Sequence, residues 1–160
     1  MPKITIDGSN NIIGSSVINI NITNSATVTL EGLNITGGSG SGIYAAGGTL
    51  TVTHSTVSGN SANAGGGIYA DGVALTVTHS TVSGNSVSGG LSAGGGIYVS
   101  GGTLTVANST FASNSASSGG ALYIDSNASV TNVTFSRNSA TDSGGAMLTG
   151  STLTLTNVIL

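Results

Sequence analysis

The sequence predicts an all-β chain wound as a parallel β-solenoid, and three observations carry that prediction. First, one unit recurs: Ile43, Ile68, Ile97, Leu122 and Met147 fill the same slot at steps of 25, 29, 25 and 25 residues. A period of that size marks a supersecondary unit that buries its apolar side only against its neighbours. Second, apolar and polar residues alternate in short bursts, as in the segment ALTVT at 74–78, which is the period of a strand. Third, Gly, Ser, Thr, Asn, Val and Ile dominate the chain, and none of them is a strong helix former.

Each repeat holds three such bursts, typified by GIYA, ALTVT and STVS. The ALTVT face aligns through Ile4/Ile6, Val28/Leu30, Leu50/Val52, Leu75/Val77, Leu104/Val106, Ala128/Val130 and Leu153/Leu155. Between the apolar pairs, and pointing the other way by strand alternation, stand Thr5, Thr29, Thr51, Thr76, Thr105, Ser129 and Thr154. The STVS face aligns through Ile13, Ile35, Val57, Val82, Phe111, Phe135 and Leu160. The GIYA face aligns through Ile18 and the five slot residues above, with a second inward column of Ile20, Ala45, Ala70, Val99 and Ile124. Equivalent strands recur once per repeat, so they pair in parallel between successive coils. The expectation is three short strands per coil, about 6.5 to 7 coils, and no caps. The whole of 1–160 reads as one β-solenoid domain, with divergent coils over 1–39 and regular repeats over 40–160.

Corners separate the faces. One corner carries Gly8, Gly32, His54, His79, Asn108, Asn132 and Asn157, and another carries Gly38, Asn60, Asn85, Asn114 and Asn138. Asn tolerates left-handed backbone and bonds to nearby main chain, and stacked Asn side chains bond to one another as ladders. GG and GGG runs before each GIY strand form a third corner too tight for side chains. One copy is longer than its neighbours, and the extra residues near 86–93 (SVSGGLSA) are expected to bulge as a loop.

Composition excludes several functions. With Lys3 and Arg137 as its only cations and a formal charge of −3, the chain cannot neutralise a phosphate backbone, so no nucleic acid is expected as a partner. No apolar run approaches the ~20 residues of a membrane span. There is no cysteine, hence neither a disulfide nor a thiolate metal site. The opening MPKITIDGS lacks the apolar stretch of a signal peptide.

Late in the chain, GGAL at 119–122, FASN at 111–114, FSRN at 135–138 and GGAM at 144–147 resemble the paired GGA(I/L/V) and FxxN repeats of chlamydial polymorphic outer-membrane proteins. Earlier copies depart from that pattern with GGGI and VSGN. More broadly the chain resembles pectin-lyase-like right-handed parallel β-helix proteins of bacterial surfaces. The resemblance implies a single-stranded right-handed β-helix, an extracellular or cell-surface location, and a structural or adhesive role.

Catalysis is not expected. Lyases and hydrolases built on such folds need clustered carboxylates with a cation or a strong base, whereas of Asp7, Glu31, Asp71, Asp125 and Asp142 only Asp7 and Glu31 share a column on adjacent rungs, with no Arg or second Lys beside Lys3. His54 and His79 share a corner column about 5 Å apart, but no third ligand joins them, so no metal and no cofactor are expected. Tyr44, Tyr69, Tyr98 and Tyr123 share one outward column, a candidate surface for a glycan or a host partner. Asn60, Asn85, Asn114 and Asn138, with Asn108, Asn132, Asn157, His54 and His79, are candidate structural ladders. Repeated Thr-x-Thr is similar to β-solenoid ice-binding proteins, and a carbohydrate-binding or polysaccharide-degrading β-helix is a further alternative. The expected partner is the chain itself, stacked head to tail into a fibre-like solenoid, or a contiguous solenoid of a longer parent chain.

Overall fold

The structure, a computed structural model, describes residues 17–23, 25–89 and 93–160. The first coil holds β1 (Ile18–Asn21), β2 (Thr27–Glu31) and β3 (Asn34–Thr36). The second holds β4 (Ile43–Ala46), β5 (Thr49–Thr53), β6 (Thr56–Ser58) and β7 (Ser61–Ala62), and the third β8 (Ile68–Asp71), β9 (Ala74–Thr78), β10 (Thr81–Ser83) and β11 (Ser86–Val87). The fourth holds β12 (Ile97–Ser100), β13 (Thr103–Ala112) and β14 (Ser115–Ser118). The fifth holds β15 (Leu122–Ile124), β16 (Asn127–Ser136) and β17 (Ser139–Ser143), and the sixth β18 (Met147–Thr149) and β19 (Leu153–Ile159).

Every pairing is parallel and joins one coil to the next. The first sheet runs β1-β4-β8-β12-β15-β18, and the long sheet carries both the ALTVT and the STVS strands. Register follows the sequence columns: Ile43 pairs Ile68, Leu50 pairs Leu75, and Val82 pairs Phe111. The first rung, with Lys3, Ile4, Thr5, Ile6, Asp7, Gly8 and Ile13, lies outside the described residues.

Two features differ from the sequence reading. In β13, β16 and β19 the ALTVT and STVS segments run on as one strand through the corner at Asn108, Asn132 and Asn157, which keep left-handed backbone with φ near 50°. A fourth segment also pairs in each middle coil, forming the short sheet β17-β14-β11-β7. It consists mainly of Ser and Ala, so it gives no apolar alternation to read. Within the expected bulge, Ser86 and Val87 pair in this sheet and Ala93 bridges to Ser118, leaving Ser88 and Gly89 exposed.

The core is one column of side chains inside the coils. Leu50, Val52, Val57, Ile68, Val77, Val82, Ile97, Val106, Phe111, Leu122 and Val130 have no solvent exposure. Phe111 and Phe135 stack with centroids 5.1 Å apart, continuing the Ile35, Val57, Val82 column with larger side chains.

Candidate functional site

Lines of side chains are built on this scaffold, each from one residue per coil. The outward line on the first sheet is Tyr44, Tyr69, Tyr98 and Tyr123, in register with Asn19 before and Leu148 after. The rings pack on one another. Tyr69 and Tyr98 stack at 5.1 Å and 11°, while Tyr44 stands at 81° to Tyr69 and Tyr123 at 89° to Tyr98. The column lies outside the core as expected, but it is not a freely exposed stripe: Tyr98 retains only 8% exposure, and the other three are half-buried. Two residues on, and therefore on the same side of the sheet, Ala46, Asp71 and Ser100 form a parallel column, which Asp125 continues through its N–H bond to the Val99 carbonyl.

The Tyr98 hydroxyl donates to Asp125 Oδ2 at 3.3 Å. Burial first, and then the Asp125 carboxylate, push the Tyr98 hydroxyl above the ordinary 10.0, against a smaller opposing effect of its hydrogen bond with Ser100. Burial and then Asp71 do the same to Tyr69. A raised phenol value means that the folded chain keeps protons that the unfolded chain has released. The associated stability is therefore complete below about pH 10 and is lost as pH rises through the folded values. Thermal melts are expected to show the wild-type melting temperature falling from about pH 10 upward, and a Tyr69→Phe/Tyr98→Phe variant losing less over the same range. Parallel curves would exclude these hydroxyls as the cause.

The second line is internal. Asn60, Asn85 and Asn114 are fully buried, and each donates its amide to Oδ1 of the next Asn, at 3.0, 3.1 and 3.0 Å, ending on Asn138. The same Oδ1 atoms also accept the backbone N–H of Asn60, Asn85 and Asn114. The second amide hydrogen goes to a carbonyl on the preceding coil, Ile35 for Asn60, Val57 for Asn85, Val82 for Asn114 and Phe111 for Asn138. The four asparagines thus bond as a ladder, and left-handed backbone at Asn is not its cause. The left-handed residues at this corner are the ones before the Asn, namely Gly59, Gly84, Ser113 and Arg137. Asn is there for the hydrogen-bonding capacity of its side chain, which satisfies buried main chain.

The sequence reading missed a second internal ladder. Ser55, Ser80 and Ser109 are buried; each donates to the carbonyl two residues back, and their Oγ atoms accept the N–H of Leu33, Ser55 and Ser80. A signal was available, because Leu33, Val133 and Val158 occupy the same slot, and a column mixing Ser with Leu and Val faces inward.

The third line is the exposed corner, where His54, His79, Asn108, Asn132 and Asn157 all have φ between 49° and 55°. The imidazoles of His54 and His79 are parallel, with centroids 5.0 Å apart. His54 Nδ1 bonds to Thr53 Oγ1, Asn108 Nδ2 lies 3.4 Å from His79 Nε2, and Asn157 donates to Asn132, which donates to Asn108. These five act as one hydrogen-bonded, stacked edge. Among the described residues no three His, Cys, Asp or Glu come together in a way that could hold a metal ion.

Over residues 4–111 the sequence matches the family described as right handed beta helix region. The chain belongs to that family. As a right-handed β-helix protein it winds the three predicted faces into stacked parallel sheets. Its residues 108–125 and 132–146 also match the Chlamydia polymorphic membrane protein repeat, which covers the FASN, GGAL and FSRN segments and all of GGAM but Met147. Neither a curated protein nor a solved structure matches this β-helix.

Proposed function

We propose that this β-helix is a non-enzymatic structural and adhesive module of a bacterial surface or extracellular protein, extended by rung-on-rung stacking into a fibre-like solenoid. The observation that carries the reading is the columnar placement of its candidate side chains. Tyr, His and Asn recur at the same address on successive coils, so the described residues offer extended lines of like side chains. The polymorphic membrane protein repeats at 108–125 and 132–146 support a cell-surface location.

Along β19 and just past its end, Leu155, Ile159 and Leu160 are exposed at 44%, 63% and 72%, and the outer edge of that strand is of the kind that pairs with a further strand, of a longer parent chain or of another copy. Head-to-tail contact of this sort propagates unless it closes. Light scattering and electron microscopy of the concentrated chain are expected to show filaments, and Thr154→Pro/Leu155→Lys to abolish them while circular dichroism stays unchanged. A monomeric particle at every concentration would refute stacking between separate chains. Cleavage of an acidic glycan that is lost in Asp71→Ala or Asp125→Ala would overturn the non-enzymatic part.

One observation favours a second reading, ice binding. The column Thr29, Thr51, Thr76, Thr105, Ser129 and Thr154 is in register and carries a hydroxyl at every described rung. Thermal hysteresis is the property that separates it from the adhesive reading.

A further inference from the structure

We infer that the outer face of the first sheet binds a linear glycan without acidic groups, lying along the solenoid axis, with Tyr44 and Tyr123 as its two aromatic platforms. The inference rests on the adhesive reading and names the ligand class that reading leaves open.

The ring geometry sets which tyrosines a ligand can use. Tyr69 and Tyr98 are stacked face to face, so those two faces are closed. Each ring's other side meets a crosswise neighbour, Tyr44 on Tyr69 and Tyr123 on Tyr98, at centroid distances of 5.4 and 5.1 Å. The inner pair therefore has its ring faces covered by neighbouring rings, and the outer pair, turned about 90° to it, keeps ring faces that no other tyrosine covers. Sugar rings have apolar C–H faces that settle on aromatic faces, and hydroxyl rims that need hydrogen-bond partners.

Those partners stand in the adjacent column. Asp71 and Asp125 are exposed and two rungs apart, about 10 Å, with the half-buried Ser100 between them. The bond from Tyr98 fixes the Asp125 carboxylate in place. Carboxylates accept from sugar hydroxyls at any orientation of the C–H faces, and they repel a uronate or a sulfated chain. None of β1, β4, β8, β12, β15 and β18 carries a Lys or Arg to offset them. A ligand touching both platforms spans three rungs, about 14 Å, which requires an oligosaccharide rather than a single sugar.

The test is a titration of the full chain, followed by NMR and calorimetry, with cellotetraose, chitotetraose, tetragalacturonate and octalysine as probes. At least one uncharged tetramer is expected to bind and tetragalacturonate not to. Tyr44→Ser and Tyr123→Ser are each expected to weaken binding about tenfold, equivalent to ~1.4 kcal/mol, with Tyr69→Phe changing it little. Asp125→Asn, which keeps side-chain size, is expected to weaken binding without altering the circular dichroism spectrum, so loss of fold in a Ser variant does not decide the matter. Tetragalacturonate binding as tightly as the neutral tetramers, octalysine binding that fades with salt in their place, or tetramer binding indifferent to Tyr44 and Tyr123 would each overturn the inference. A chain that adheres to cells yet binds no uncharged tetramer would overturn it too, and would leave the adhesive reading intact.

Discussion

Replacing Asn85 by leucine is expected to destabilise the chain by about 4 kcal/mol, seen as a fall of roughly 10 °C in the melting temperature. Leucine is close in volume and excludes water, so nothing takes over the bonds that Asn85 makes. The backbone N–H of Asn60 and one of its amide hydrogens both point at Asn85 Oδ1, from 3.1 and 3.0 Å, in a fully buried position. Each is left without a partner, at about 1 to 3 kcal/mol apiece, and the donation to the Val57 carbonyl is lost as well. Asn132→Gly is the control. It removes the same kind of Asn-to-Asn bonds from the exposed ladder while suiting the left-handed backbone there, and it is expected to cost about 1 kcal/mol. Equal losses in the two variants would show that burial does not set the value of the ladder.

Gly66→Ala is expected to be comparably damaging, at ~3 kcal/mol or more. An added Cβ would stand 2.5 Å from the Gly95 carbonyl oxygen and 2.6 Å from that of Ser86. Both are main chain, so no side chain can swing aside. Relief of the Gly95 contact requires the third and fourth coils to part, which breaks the bonds from Gly66 and Gly67 to the carbonyls of Gly94 and Gly95, and relief of the Ser86 contact requires the third coil itself to open. Gly72→Ala makes the comparison clean. Gly72 has φ 63° but open space around its Cβ position, so alanine there bears only the left-handed penalty of about 1 to 2 kcal/mol. Urea midpoints for the two variants separate the effects, and a Gly66→Ala loss no larger than that of Gly72→Ala would mean that the coils yield easily.

The columns were legible in the sequence because a solenoid turns period directly into contact. Ile43 to Met147, Leu50 to Leu153 and Tyr44 to Tyr123 are stacked at the register that their spacing implied. The left-handed corner at His54, His79 and Asn108 was legible too, since Gly32 in the same slot advertises positive φ. The buried ladder was only half readable. Asn60 follows Gly59 and Asn85 follows Gly84, and the sequence does not say which member of the pair takes the unusual backbone and which one turns inward. Ser55, Ser80 and Ser109 were passed over because serine reads as solvent-facing until its column mates are considered. Ring orientation in the tyrosine column could not be read at all. It depends on side-chain rotamers, which four identical residues on equivalent strands resolve differently, and the glycan inference depends on that difference.

The ladders described above share a direction: their hydrogen bonds run between one coil and the next, along the long axis. Hydrogen bonds aligned with a pulling force are loaded in tension and fail one row at a time, whereas those lying across it are loaded in shear and resist together. Tension applied along the axis therefore meets this protein in its weaker geometry, peeling it from an end coil by coil, with each coil's loss weakening only its immediate neighbour. A sideways load that slides one coil over the next encounters instead the interlocked Leu, Val and Phe columns and every bond of the rung at once. The molecule yields gradually when drawn out along its axis and resists sliding of one coil over the next, a mechanical asymmetry set by the direction in which its amides point and by the side chains interlocked between coils.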